Sequence, residues 1–218
     1  RDRSYNSNDI KVLKGLKKVK VYRVAKDIGP ITKVLPTLKR VKDKDAIIIS
    51  IDDDIVYPRG MVNEHIHTCI KHMDQITTGS GFNFDSFGNT KKRQGFKVKE
   101  MEKWWPSGES PEFPYVDIAE GFGSIGYRKR LVDIKQLEKL NSTSKNCKLS
   151  DDFTINYSLE SNGVKRRCID NKYLNLDMIH PLVVGEQKGL HVQEPPGTYW
   201  DYNTYKYVEC STDIKNAK

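Results

Sequence analysis

The sequence predicts an α/β fold in which helices flank a mostly parallel sheet, and two observations carry that expectation. The run Ala46-Ile47-Ile48-Ile49-Ser50-Ile51 is almost continuously apolar and β-branched, the pattern of a strand covered on both faces. On either side of it apolar residues recur at helical spacing, so strand and helix alternate along the chain. At 218 residues, with no internal repeat and no long low-complexity linker, the chain fits one domain spanning 1–218.

Taken in order, Lys20 to Val24 alternates like a short strand, and Gly29-Pro30 supplies a turn. Pro30 through Arg40 then places Ile31, Val34, Leu35 and Leu38 on one helical face. The strand at 46–51 stops abruptly at Asp52-Asp53-Asp54. From Gly60 to Ile76 the residues Val62, Ile66, Cys69 and Met73 predict a helix returning over the sheet. Glycines and prolines crowd residues 79–114, which read as loops and irregular strands, and order resumes at Val116. Thr154 to Asn162 reads as a helix ended by Gly163, with a further strand over Val164 to Ile169.

Composition narrows the function classes. Lys and Arg number 37 against 29 Asp and Glu, a formal balance of +8 that suits anionic ligands. The densest basic run, Lys11, Lys14, Lys17, Lys18 and Lys20, lacks the interleaved aromatics on which bases stack, so nucleic acid is not the expected partner. No apolar run approaches the roughly 20 residues that cross a bilayer, so no membrane span is expected. Cys69, Cys147, Cys168 and Cys210 form no CxxC pair, and Arg1-Asp2-Arg3 opens no signal-peptide pattern. Reduced thiols and a cytoplasmic location follow as expectations.

The chemistry-bearing feature is the acidic triplet. Three carboxylates at the carboxyl end of a strand sit where open α/β sheets bind ligands. Their mutual repulsion needs a cation, and an oxygen-only donor set suits Mg2+ or Mn2+. A solvated acidic turn, with Asp43 and Asp45 nearby, is the plainer reading. Asp52-x-Asp54-x-Val56 also fits the nucleophile motif of haloacid-dehalogenase-like phosphatases, with Asp52 attacking phosphorus and Asp54 as acid/base. That family usually places the motif on its first core strand, whereas here a strand and a helix are expected before it.

Four blocks in order carry a more specific resemblance: Val24-Ala25-Lys26-Asp27-Ile28-Gly29-Pro30-Ile31-Thr32-Lys33, Ile51-Asp52-Asp53-Asp54-Ile55-Val56-Tyr57-Pro58, Val116-Asp117-Ile118-Ala119-Glu120-Gly121-Phe122-Gly123 and Leu149-Ser150-Asp151-Asp152-Phe153. The set resembles GT-A fold glycosyltransferases, more narrowly the small ones of bacteria and large DNA viruses, including the domains with which chloroviruses build capsid glycans. It covers about residues 20–170, leaving 171–218 to complete the site or pack on it.

The resemblance implies a GT-A-like, Rossmann-like domain transferring a sugar from a UDP- or GDP-type donor to a glycan or glycoprotein acceptor. It implies Asp52 and Asp54 as the metal-binding pair, Asp54 more directly, with Asp52 or Asp53 near the ribose. Asp27, Gly29 and Lys33 match the nucleotide-pocket segment, and Lys33 could present its charge to the diphosphate. Asp151-Asp152 matches the acidic pair opening a helix in inverting enzymes, where the second acid deprotonates the acceptor; Asp152 is the candidate base and Asp151 the fallback. Ser150 or Asp151 as a simple helix cap is the alternative. Gly121 and Gly123 would let backbone approach the sugar, with Glu120 or Asp117 on its hydroxyls. Such enzymes also begin with a strand and a Ser/Thr-rich loop holding the base, and neither is found before Lys20. A binding domain without turnover would keep the same fold.

Three features remain. His65, Cys69 and His72 share a helix face and admit zinc, but Cys69 lies in the apolar stripe, which favours packing. Trp104-Trp105-Pro106 offers either a sugar-stacking platform or a loop anchor. His191 is the candidate late histidine of the metal shell.

Overall fold

A computed structural model describes residues 7–53, 55–84, 90–95, 97–98, 114–169, 178–181 and 199–217. The architecture is α/β: a mixed five-stranded sheet with helices packed against it. Its strands are β1 (Ile47–Ser50), β3 (Gln75–Thr78), β7 (Tyr115–Val116), β9 (Ile125–Arg128) and β10 (Lys165–Cys168), in the order β1-β9-β3-β10-β7. Two three-stranded sheets accompany it. One is β2 (Ile55–Val56), β11 (Met178–Pro181) and β6 (Lys97–Val98), and the other is β5 (Thr90–Gly95), β4 (Ser80–Phe84) and β8 (Ile118–Ala119). The helices are α1 (Ser7–Gly15), α2 (Leu35–Arg40), α3 (Met61–Lys71), α4 (Ile134–Thr143), α5 (Lys145–Lys148), α6 (Asp151–Ser161) and α7 (Tyr199–Asn216).

Several expectations are corrected. The main sheet is not mostly parallel: β3–β10 is its parallel pair, while β1–β9, β3–β9 and β7–β10 are antiparallel. β1 is therefore an edge strand in the described sheet, with alternating burial, rather than a central strand between parallel neighbours. Its apolar run serves both faces, because Ile48 joins the main core while Ile49 packs on the smaller cluster around Met61 and Ile169. Lys20 to Val24 is not a strand; it is irregular and exposed.

The single helix expected over Pro30–Arg40 is broken in two, a 3₁₀ turn at Pro30–Lys33 and then α2. Pro36 explains the break, because a continuous helix would need its absent N–H and would press its ring on the carbonyl of Thr32. The apolar face survives, with Ile31, Val34, Leu35 and Leu38 all buried in the core. In α3 the buried face is Met61, His65 and Cys69, whereas Val62 is half exposed and Met73 lies beyond the helix, exposed. The expected apolar stripe is thus rotated by the inclusion of a histidine.

The cysteines also differ from expectation. Cys147 and Cys210 form a disulfide between α5 and α7 with Cα atoms 4.8 Å apart, while Cys69 and Cys168 are free and buried. Leu140 and Ile214 pack around that link, so the described C-terminal residues pack on α4 and α5. Among the described residues, no helix is long and apolar enough to cross a membrane.

Candidate active site

The first block builds an anchored turn. Asp27 accepts the Gly29 N–H at 2.8 Å and the Thr32 hydroxyl at 3.3 Å, and the Gly29 bond holds its carboxyl below the ordinary range. Gly29 has φ +95°, and a Cβ there would stand 2.5 Å from the Lys148 carbonyl oxygen, so the turn needs glycine twice over. Pro30 then opens the 3₁₀ turn that ends at Lys33. This geometry aims Lys33 inward, at the end of β1.

Lys33 is the hub of the site. Its Nζ lies 2.9 Å from Asp52 Oδ1 and 3.3 Å from Asp151 Oδ2. Burial works against the ammonium charge, yet Asp151, Asp152 and Asp52 outweigh it and hold the Lys33 pKa well above normal. Asp152 accepts the Gly121 N–H at 2.9 Å. Burial first, then Asp151, raises its pKa well above the carboxylate range, while Lys33 and the Gly121 N–H favour the ionised form. In its ionised form a carboxylate so placed is a stronger proton acceptor than one in water.

The glycine motif closes the site from the other side. A Cβ on Gly121 would stand 2.5 Å from Lys33 Nζ and 2.9 Å from Asp152 Oδ1, and one on Gly123 would overlap Ser80. Gly123 is required by its approach to the Ser80 backbone, whereas a side chain at Gly121 would displace the Lys33 ammonium and the Asp152 carboxylate. Glu120 is buried and accepts the Ser80 hydroxyl at 3.0 Å. Asp117 is exposed, its backbone N–H bound to Phe82 and Asn83 on β4. Asp53 is also exposed. Asp54, Trp104, Trp105 and His191 lie outside the described residues.

Residues missed in the sequence do much of the positioning. Tyr57 OH accepts the Asp52 N–H at 2.9 Å and donates to the Phe122 carbonyl at 2.8 Å, tying the acidic turn to the glycine motif. Asn156 on α6 accepts the Ala119 N–H at 2.9 Å and donates to the Ala119 carbonyl at 2.8 Å, tying the acidic helix to β8. Behind the glycine motif, His65 is fully buried between Thr77 Oγ1 at 2.7 Å and Ser124 Oγ at 2.8 Å. In either neutral tautomer one ring nitrogen donates and the other accepts, so both hydroxyl contacts are hydrogen bonds. Burial pushes the His65 pKa down to about 3. Ser124 has φ 77°, a conformation costly without glycine, and His65 helps to hold it there.

At the edge of the site Ser150 Oγ is buried without a hydrogen-bond partner, Tyr127 OH and Ser50 Oγ interact with one another, and Asp151 Oδ2 has the Lys33 ammonium. Carboxylate oxygen donors such as Asp52 and Asp151 fit a hard divalent ion by chemistry. The point where Asp52 and Asp151 converge is occupied by the Lys33 ammonium. Among the described residues no three His, Cys, Asp or Glu side chains form a metal-holding group. The arrangement can bind an anion through Lys33 and accept a proton at Asp152. No family model matches the chain, and no curated protein matches it.

Proposed function

We propose that the chain transfers a sugar from a nucleotide-diphosphate donor of UDP or GDP type to a hydroxyl of a glycan or glycoprotein acceptor, with inversion. The observation that carries this reading is the convergence of Lys33, Asp52, Gly121, Asp151 and Asp152 from four separate segments. In this scheme Asp152 takes the proton of the acceptor hydroxyl as its oxygen attacks the anomeric carbon, and the bond to the diphosphate breaks on the opposite side. Lys33 turns from the carboxylates to the departing diphosphate. Asp52 and Asp54 would hold a Mn2+ or Mg2+ ion, which would neutralise charge on that same leaving group. Glu120, with Asp117, orients sugar hydroxyls, and Asp27 and Gly29 shape the turn beside the nucleotide.

Release of nucleoside diphosphate from a panel of sugar donors, with and without Mn2+, tests the proposal. Metal-stimulated release that depends on Asp152 is expected, and no turnover with any donor removes the enzymatic reading in favour of a binding domain. Hydrolysis of simple phosphate esters with no nucleotide, accompanied by beryllofluoride binding at Asp52, would replace it with the phosphatase.

A further inference from the structure

The segment preceding Asp27 is unlike the rest of the chain. Every residue from Lys11 to Asp27 is exposed. Within it Val12, Leu13, Leu16, Val19, Val21, Tyr22 and Val24 are apolar or aromatic side chains held in water, Val12 at 67% exposure. Between them stand Lys11, Lys14, Lys17, Lys18, Lys20, Arg23 and Lys26, and no Asp or Glu occurs from Ile10 to Lys26. These seven cations account for nearly all of the net +8, leaving the remainder of the chain close to neutral. Two signals that normally exclude one another, apolar exposure and dense like charge, coincide here.

We propose that residues 10–26 are a docking arm for the surface of an anionic lipid bilayer. A membrane interface takes both kinds of side chain at once: apolar groups enter the acyl boundary while lysines remain among anionic headgroups. α1 presents Val12 and Leu13 beside Lys11 and Lys14, and the turn that follows it presents Leu16 and Val19 beside Lys17 and Lys18. Lysines interrupt the apolar residues throughout, so the arm lies on the bilayer rather than crossing it. Nucleic acid matches the charge but offers nothing to the valines and leucines. The aromatic that could stack on a base, Tyr22, is covered by the Arg40 guanidinium at 3.9 Å.

The arm runs directly into the Asp27–Gly29 turn. Lys33 follows Lys26 by seven residues, a span of at most about 25 Å fully extended. Docking therefore brings the cleft to the bilayer surface, whichever reaction the cleft performs.

Co-sedimentation of the full chain with phosphatidylcholine vesicles, with and without about one third phosphatidylserine, tests this directly. Binding at least tenfold tighter to the anionic vesicles is expected, weakening as salt is raised. The double variant Leu13→Ser/Leu16→Ser keeps all the charge and should lose most of the binding, as should Lys14→Gln/Lys17→Gln/Lys18→Gln. Because these side chains are exposed, thermal unfolding of both variants should match the parent. Undiminished binding by the leucine variant, equal binding to neutral and anionic vesicles, or preference for duplex DNA over vesicles would each overturn the proposal.

Discussion

Two polar clusters lie on either side of the Gly121–Ser124 segment, one fully buried and one part-exposed, and they hold their polar groups in opposite ways. Around His65 every ring nitrogen and hydroxyl has a partner, the members are neutral, and the cluster is closed on itself. Around Lys33 the groups are charged and held by ion pairs, and Ser150 Oγ stands buried without a hydrogen-bond partner. A satisfied network rigidifies a fold, whereas unpaired buried oxygens cost stability without ligand or solvent to complete them. The neutral cluster is closed on itself, and the charged one holds the residues to which the proposed transfer is assigned.

That contrast can be broken most severely at Asp152. Asp152→Asn keeps the Gly121 hydrogen bond but cannot take a proton, so single-turnover transfer should slow by roughly 10²-fold or more while calorimetric donor titration stays nearly unchanged. Equal turnover, or loss of donor binding as complete as in Asp54→Ala, would transfer the base role to Asp151 or Glu120. On the closed side, His65→Leu strands the Thr77 and Ser124 hydroxyls and should cost about 2–3 kcal/mol in urea unfolding. The pH dependence sharpens this further. Between pH 6.5 and about 3 the unfolded chain binds a proton that folded His65 refuses, so stability falls as pH drops through that window. His65 adds at most about 1.4 kcal/mol per pH unit to that slope, and His65→Leu should lack the contribution. The smallest effect joins the two clusters' surroundings: Tyr57→Phe leaves the Asp52 N–H and Phe122 carbonyl without their bridge and should cost about 1 kcal/mol.

How much of this could be read in the sequence depended on whether the signal was local. The strand ending in Asp52 and the helix opening at Asp151 were legible because their apolar runs and acidic ends are contiguous. The structure brings Lys33, Asp52, Gly121 and Asp152 from separate blocks together. Strand direction was not legible, because β9 is four residues long and inserts between β1 and β3 through contacts distant in sequence. α4 was overlooked although Asp133 caps the Gln136 N–H, a local Asp-x-x-Gln signature that was available. His65 read as flanking the apolar stripe because a neutral histidine between two hydroxyls looks no different in sequence from a solvated one. The Cys147–Cys210 link, 63 residues apart, carries no spacing signal at all.

Asn156 imposes a limit on assembly. Its amide presents one acceptor and one donor to the N–H and C=O of Ala119, the same pair of bonds that a neighbouring strand would make. β8 is the outer strand of its sheet, and its open side is therefore filled by a side chain from α6. Another chain seeking to add a strand at Ala119 would first have to displace an amide buried at 1% exposure. Aspartate there could accept but not donate, and leucine could do neither, so only an amide both blunts this edge against polymerisation and fastens it to the helix that carries Asp152.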